Sequence, residues 1–272
     1  MKFPVALQLY SVRNEAEKDF EATLFKVGKM GYDGVEYAGL HGYSAEKVAA
    51  MTANAGLTPL SAHVPIDDLC ADPEGQIALY KAVGCRYIAV PYLMPERRPG
   101  TPGFEKTIED IRIIGAEAKK QGIILLYHNH DFEFDKVGDM YALDMLYSKV
   151  GAELLQTELD TCWVNVGGED PAEYIRKYKG RAPVVHLKDF YMTSRDGGAL
   201  YELIGVESEG KKADRSSFEF RAVGSGVQNI PGIIAAAEYS GSRWLVVEQD
   251  EPSQGHTPFE CAEISIKYLR SL

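Results

Sequence analysis

Three acidic or imidazole side chains each stand where an apolar run stops. Asp160 ends Leu154–Leu159, His186 follows Pro183-Val184-Val185, and Glu248 follows Trp244-Leu245-Val246-Val247. A fourth run, Ile123-Ile124-Leu125-Leu126-Tyr127, leads into His128-Asn129-His130-Asp131-Phe132-Glu133. Apolar runs of this length read as buried parallel strands. Groups at their carboxyl ends converge on one mouth of a barrel, which is where such folds do chemistry. Carboxylates and imidazoles from four strands make a mixed oxygen and nitrogen set for one divalent cation. Carboxylate oxygens suit Mn²⁺ and Mg²⁺, while imidazole suits softer ions and is tolerated by manganese. Each residue alone has a plainer reading: Asp160 precedes Thr161-Cys162 and can cap a turn, and a lone histidine is often simply hydrogen-bonded. Four such placements on four successive strands weigh against the plainer readings jointly.

The elements that must position these groups alternate from end to end. Strand-like runs are Val5–Tyr10, Gly34–Tyr37, Leu57–Val64, Arg86–Val90, Ile123–Tyr127, Leu154–Leu159, Pro183–Leu187 and Trp244–Val247. Between them, helical spacing or end signals mark Asp19–Met30, Ser44–Ala55, a helix from Asp72-Pro73-Glu74 to Val83, Phe104–Gln121, Met140–Val150, Pro171–Tyr178, a start near Asn229-Ile230-Pro231, and Pro258–Leu272. Gly31, Gly56 and Gly122 sit where left-handed helix stops are expected. Eight strands alternating with eight helices predict a (β/α)₈ TIM barrel, as a single domain over residues 1–272 with a long loop after strand seven. An open doubly wound sheet is the alternative, but Gln8-Leu9-Tyr10-Ser11-Val12-Arg13 lacks the glycines such a fold carries after its first strand. The stretch Asp189–Gln228 has no clean periodicity. Its Tyr191, Leu200, Tyr201, Leu203, Ile204, Phe218 and Phe220 suggest an ordered lid.

Composition narrows the partners. At 272 residues, with 45% hydrophobic and 25% charged, the chain is an ordinary globular protein with a sizeable core. A net charge of -11 disfavours nucleic acid and anionic membrane surfaces. No stretch approaches the roughly 20 apolar residues of a membrane span. Met1-Lys2-Phe3-Pro4 runs straight into a strand rather than a signal-peptide core. Four scattered cysteines, Cys70, Cys85, Cys162 and Cys261, form neither a thiol zinc motif nor a disulfide framework. The expected compartment is the cytoplasm.

The Asp160 strand, His186-Leu187-Lys188-Asp189, Val247-Glu248-Gln249-Asp250 and His128-Asn129-His130-Asp131-Phe132-Glu133-Phe134 together resemble the xylose-isomerase-like sugar phosphate isomerase/epimerase family. The resemblance runs from Gln8-Leu9-Tyr10-Ser11 through the last helix. It implies one divalent metal held by Glu133, Asp160, His186 and Glu248, with Mn²⁺ expected first and Mg²⁺, Zn²⁺ or Co²⁺ as alternatives. Glu133 has to fold back from its loop; His128 or His130 is the substitute. The resemblance also implies proton transfer beside the carbonyl of a sugar or keto-sugar through an enediolate, with Glu133 and Glu248 as both ligands and acid/base groups. A lyase acting by β-elimination on a keto-inositol or 3-keto sugar shares the first step and is the alternative. A repair nuclease on the same barrel would need more than six histidines and a cationic face.

Lys188 shares the inward parity of His186. It is read as an electrophile or proton donor to the carbonyl oxygen, or else as an ion pair with Asp189 or Asp160. His63, His128 and His130 are read as substrate-binding groups. Loop-backbone hydrogen bonds are the competing role for the last two. Glu36 is expected to bond a neighbouring loop, and His41 and His256 to be turn or capping residues. Gly224-Ser225-Gly226, with Arg221 nearby, is a weak candidate phosphate cradle. Tyr191, Tyr201 and Phe218 are candidates to cover the pocket or a neighbouring subunit of a homo-oligomer.

Overall fold

Eight short strands of mostly buried residues close on themselves as a parallel barrel. They are β1 (Val5–Gln8), β2 (Gly34–Tyr37), β3 (Thr58–His63), β4 (Tyr87–Val90), β5 (Ile124–His128), β6 (Gln156–Asp160), β7 (Val184–Leu187) and β8 (Trp244–Val247). Each pairs with its sequence neighbours, and β1 closes the ring on β8 through Val5–Leu245, Ala6–Val246 and Leu7–Val247. The computed structural model describes residues 3–193 and 218–272. Leu200, Tyr201, Leu203 and Ile204 of the expected lid therefore lie outside the described residues.

Alternation along the strands builds two cores. Val5, Leu7, Val35, Ile88, Leu125, Leu159, Val185 and Leu245 face outward and join the helices in one large cluster. Ala6, Leu60, Tyr87, Ala89, Leu126, Val184 and Val246 face inward and plug the barrel. The next inward positions, toward the carboxyl ends of the strands, are polar. That switch from apolar to polar on a single face creates the site.

The helices begin and end for local reasons. Asp19 Oδ1 accepts from Ala22 N–H at 2.9 Å to open Phe20–Met30, and Gly31 closes it at φ 99°. Asp72 does the same through Gly75 N–H at 2.9 Å, with Pro73 in the first turn of Pro73–Val83. The helix expected over Met140–Val150 starts later, at Ala142. Met140–Tyr141 instead pairs antiparallel with Lys136–Val137 across Gly138, which turns at φ 66°. After β7 the chain forms a ribbon of Asp189–Met192 against Phe218–Arg221. Phe190, Phe218 and Phe220 of this ribbon pack on Cys162 and Trp163. Phe218 is thus a core residue and not an exposed cover; Tyr191 is the exposed aromatic, at 48%. All four cysteines are free.

Candidate functional site

Inward positions of six strands, continued by Lys188 and Glu248 just past β7 and β8, stack two polar layers on the apolar plug. The lower layer is Gln8, Glu36, Ser61, His63, Glu158 and His186; the upper is His128, Asp160, Lys188 and Glu248, with Asp250 beside them. In the lower layer Gln8 Nε2 donates to Glu36 Oε1 at 2.8 Å and Ser61 Oγ to Glu36 Oε2 at 2.5 Å. His63 Nε2 lies 2.6 Å from Glu158 Oε1 and 3.2 Å from Glu36 Oε1. His186 Nε2 lies 2.8 Å from Glu36 Oε1 and 3.1 Å from Glu158 Oε1. Glu36 therefore bonds barrel side chains, not a neighbouring loop. Burial opposes its ionisation, but His63 and His186 outweigh that and hold its pKa well below the usual range.

The upper layer brings His128, Asp160, His186 and Glu248 around one point, their candidate ligand atoms all within 4.8 Å of one another. His186 Nδ1 is 3.2 Å from Glu248 Oε2, and His128 Nε2 is 3.7 Å from Asp160 Oδ2 and 4.0 Å from Glu248 Oε2. Neighbouring ligands around an ion with bonds of about 2.0–2.2 Å stand roughly 3–3.5 Å apart, so this spacing needs little adjustment to hold a cation. Asp160 uses one oxygen structurally: Oδ1 accepts from Trp163 N–H at 3.0 Å and caps Thr161–Val166. Its other oxygen, Oδ2, is buried without a hydrogen-bond donor among the described residues. Such an orphaned atom is costly unless something occupies the site, and the donor set fits a divalent ion that accepts both oxygen and nitrogen. Burial, only partly offset by Lys188, raises Asp160 to about 7.

Lys188 is the cation already in place. Its Nζ lies 3.0 Å from Glu248 Oε2, 3.0 Å from Asp250 Oδ1 and 3.8 Å from Asp160 Oδ2. The ion pair expected with Asp160 is thus a long one, and Asp189 is not its partner. Burial pulls Lys188 down, but Asp250, Glu248 and Asp160 together hold it well above its ordinary value.

Glu133 is not with the other expected ligands. Its carboxylate accepts from Tyr127 Oη–H and, at 2.7 Å, from the His130 backbone N–H. The 3₁₀ turn Asp131–Phe134 folds the side chain under its own loop rather than over the barrel mouth. Burial, opposed by those hydrogen bonds, raises its pKa to about 8. Of the two candidate substitutes, His128 stands in the upper set. His130 lines the pocket above it, its ring stacked on Phe132 at 5.4 Å. Burial and the charge of Lys188 keep His130 well below the normal imidazole range. The pocket itself, about 440 Å³, opens toward Tyr10, Asp68, Tyr80 and Tyr92, with His63, His130, Lys188 and Glu248 in its walls.

The comparisons with known proteins agree with this geometry. Residues 24–272 match the model of the xylose isomerase-like TIM barrel family. The chain belongs to that family. Among curated proteins it is similar to an inosose dehydratase 2 of Bacillus cereus, 26% identical over 178 residues, covering 61% of this chain and 54% of the relative. The chain thus spans about half the length of the curated relatives it matches. Among solved structures, a sugar phosphate isomerase/epimerase from Parabacteroides distasonis ATCC 8503 superposes with a TM-score of 0.79 at 22% identity, over 98% of this chain and 93% of that one. An L-ribulose 3-epimerase superposes at 0.68 and 15% identity, over 99% and 94%. At these identities the structural likeness speaks to the fold.

Glu158, like Gln8, Ser61 and Asp250, is a site residue not read from the sequence, although its signal is there. It sits inside the run taken as apolar, two residues before Asp160, and period-two alternation puts both on the inner face. The phosphate cradle at Gly224-Ser225-Gly226 is also reassigned. Asp189 Oδ2 accepts from Gly224 and Gly226 N–H, both at 3.0 Å, and Oδ1 from Phe190 at 2.9 Å and Gln228 at 3.1 Å. A Cβ on Gly226 would stand 2.2 Å from Asp189 Oδ1, so glycine is required for the approach. The nest of amides is filled by the protein's own carboxylate. No helix among the described residues is long and apolar enough to cross a membrane.

Proposed function

We propose that this chain is a cation-dependent lyase acting on a polyhydroxylated ketone, of the keto-inositol or 3-keto sugar class. It takes the proton from the carbon beside the carbonyl and expels the hydroxyl or glycosidic oxygen on the next carbon. The observation that carries this is the upper set of His128, Asp160, His186 and Glu248 with Lys188 at its edge, and Glu133 tied to Tyr127 and His130 elsewhere. Epimerisation through the paired carboxylates Glu133 and Glu248 needs both at the substrate, and Glu133 is held elsewhere by Tyr127 and His130. Elimination needs one base and one acid.

His128, Asp160, His186 and Glu248 would hold the ion, with Mn²⁺ proposed first and Mg²⁺, Zn²⁺ or Co²⁺ as alternatives. When bound, a divalent ion supplies Lewis-acid polarisation of the carbonyl. Lys188, kept protonated by three carboxylates, donates a hydrogen bond to the carbonyl oxygen as negative charge develops there. Neutral His130 accepts the carbon-bound proton. The electron pair left on carbon forms the new double bond as the carbon–oxygen bond on the neighbouring carbon breaks. His63 is cationic because Glu36 and Glu158 outweigh its burial, raising it to about 10, and it protonates the departing oxygen. Water or an alcohol leaves, and an unsaturated ketone remains. Lys188, the lysine in the pocket walls, is already committed to carboxylates, and Asp68 and Asp250 line the same space. An unphosphorylated substrate fits better than a phosphate ester.

The dehydratase relatives point the same way. The likeness to sugar phosphate isomerase/epimerase supports a second reading, in which His130 and Glu248 exchange the proton and the substrate is epimerised. The test is incubation of Mn²⁺-loaded protein with keto-inositols and 3-keto glycosides in D₂O, followed by mass spectrometry. Loss of water or of an alcohol supports the lyase, whereas deuterium uptake at unchanged mass otherwise supports the epimerase. Failure to exchange the carbon-bound proton of any of them would sink both. The partners proposed are a small-molecule carbohydrate and further copies of the chain in a homo-oligomer, in the cytoplasm, with no nucleic acid or membrane.

A further inference from the structure

Three imidazoles converge on a single oxygen. His63 Nε2, His186 Nε2 and His128 Nδ1 lie 2.6, 3.1 and 3.3 Å from Glu158 Oε1. Glu158 is fully buried, directly below Asp160 on β6. Glu36, itself anchored by Gln8 and Ser61, adds a second oxygen 2.8 Å from His186 Nε2. These residues include a group that could be taken for a second cation site. The spacing argues otherwise. Separations of 2.6 and 2.8 Å are hydrogen-bond lengths, shorter than the roughly 3–3.5 Å between neighbouring ligands of one ion.

His128 and His186 each turn one nitrogen down to this carboxylate pair and the other up to the Asp160 and Glu248 side. We infer that Glu158 is a positioning residue that holds the ring hydrogen of His128 on Nδ1. The lone pair of His128 Nε2 is thereby left facing the upper set. Carboxylates behind histidine ligands orient the ring and raise its donor strength, and their loss typically costs about 10–100-fold in metal affinity. This inference rests on the cation reading of the upper set. It extends that reading to a residue that would touch neither ion nor substrate.

The test uses the full chain and its Glu158→Gln variant, with folding checked by circular dichroism. Titration calorimetry with Mn²⁺ should show affinity weakened about 10–100-fold in the variant. In the zinc-loaded wild type, ¹⁵N spectra of the histidine side chains should place the hydrogen of His128 on Nδ1. In the variant, His128 should lose that single pattern. Unchanged Mn²⁺ affinity in a folded variant overturns the inference alone, as does a wild-type His128 that carries its hydrogen on Nε2. If the variant does not fold, the wild-type spectra decide. A wild type that binds neither ion overturns the proposed function, and this inference falls with it.

Discussion

Replacing Lys188 by methionine tests whether the upper layer is built around positive charge. Methionine keeps most of the stem and removes the ammonium. The lysine is 1% exposed, and its Nζ stands 3.0 Å from both Glu248 and Asp250. Deleting one partner of a buried pair leaves an uncompensated charge and costs about 3–5 kcal/mol. Asp160 and Asp250 can relieve part of this by taking up protons, since burial already raises them to about 7 and about 6 with the lysine present. The expected deficit at pH 8 is therefore near the low end, about 3 kcal/mol, or a fall in Tm of about 6 °C at roughly 2 °C per kcal/mol for a chain of this size. Both carboxyls have folded values above their unfolded ones. They hold protons more tightly in the fold, so stability is lost as pH rises through their folded values, and the deficit should shrink toward pH 5.5. Mn²⁺ at about 100 times its dissociation constant should return about 2.7 kcal/mol. The assay is urea denaturation after chelator treatment, at pH 5.5 and 8, with and without Mn²⁺. A deficit below about 1 kcal/mol at pH 8, or one insensitive to both pH and cation, would refute the electrostatic account.

Three further outcomes follow from the same geometry. His186→Ala and Glu248→Gln each remove a donor from the upper set and should lower Mn²⁺ content and activity together, beyond the about 10–100-fold loss expected for an outer carboxylate; full metal content in both by elemental analysis would end the assignment. Glu133, raised by burial to about 8 against an ordinary 4.5, keeps its proton in the fold up to about pH 8 and in the unfolded chain only to about 4.5. Wild-type stability should therefore decline by a few kcal/mol across that window, and Glu133→Gln should flatten the decline in denaturation curves taken at pH 5 and 8. Asp189→Asn leaves an amide where one carboxylate oxygen accepts from two backbone N–H groups, of Gly224 and Gly226. Stranding such donors costs about 1–3 kcal/mol each, measurable as a shifted denaturation midpoint; an unchanged midpoint would show that the cradle is not structural.

The barrel is readable because apolar runs and helix stops are local signals. Every barrel strand overlaps the run that predicts it, and Asp19, Ser44, Asp72 and the stop glycines act at short range. The strand-end residues Asp160, His186 and Glu248 are readable for the same reason: a polar group ending an apolar run needs no tertiary information to be noticed. Glu133 is misplaced because its position depends on a turn. The Asp131–Phe134 3₁₀ turn brings its carboxylate back to the His130 amide, and nothing in residue spacing announces that Tyr127 will supply the second donor. Residues 136–141 fail likewise, since a glycine turn overrides helical periodicity.

What builds the two layers is that β6 contributes Glu158 then Asp160, and β7 with the residue just past it His186 then Lys188, successive inward positions of polar character. One pair per strand puts one member in each layer, about one pleat repeat apart. A barrel interior normally fills such positions with branched apolar side chains. Burying Glu36, Glu158, Asp160, Glu248 and Asp250 around one lysine would be untenable if each had to be compensated separately. The lower layer resolves this with imidazoles at 2.6–3.3 Å, which share carboxylate oxygens and leave little room for an ion. The candidate ligands above are more widely spaced, at 3.2–4.0 Å, and Asp160 keeps an orphaned oxygen among them. Below, Glu158 Oε2 and His186 Nε2 also lack hydrogen-bond partners among the described residues, but His63 and His186 already bring positive charge to the two carboxylates; above, three carboxylates share one lysine, and a further positive charge is called for. The two strands thus place the rigid support and the reactive surface one directly over the other, and the chemistry belongs to the layer in which carboxylates outnumber the cationic groups.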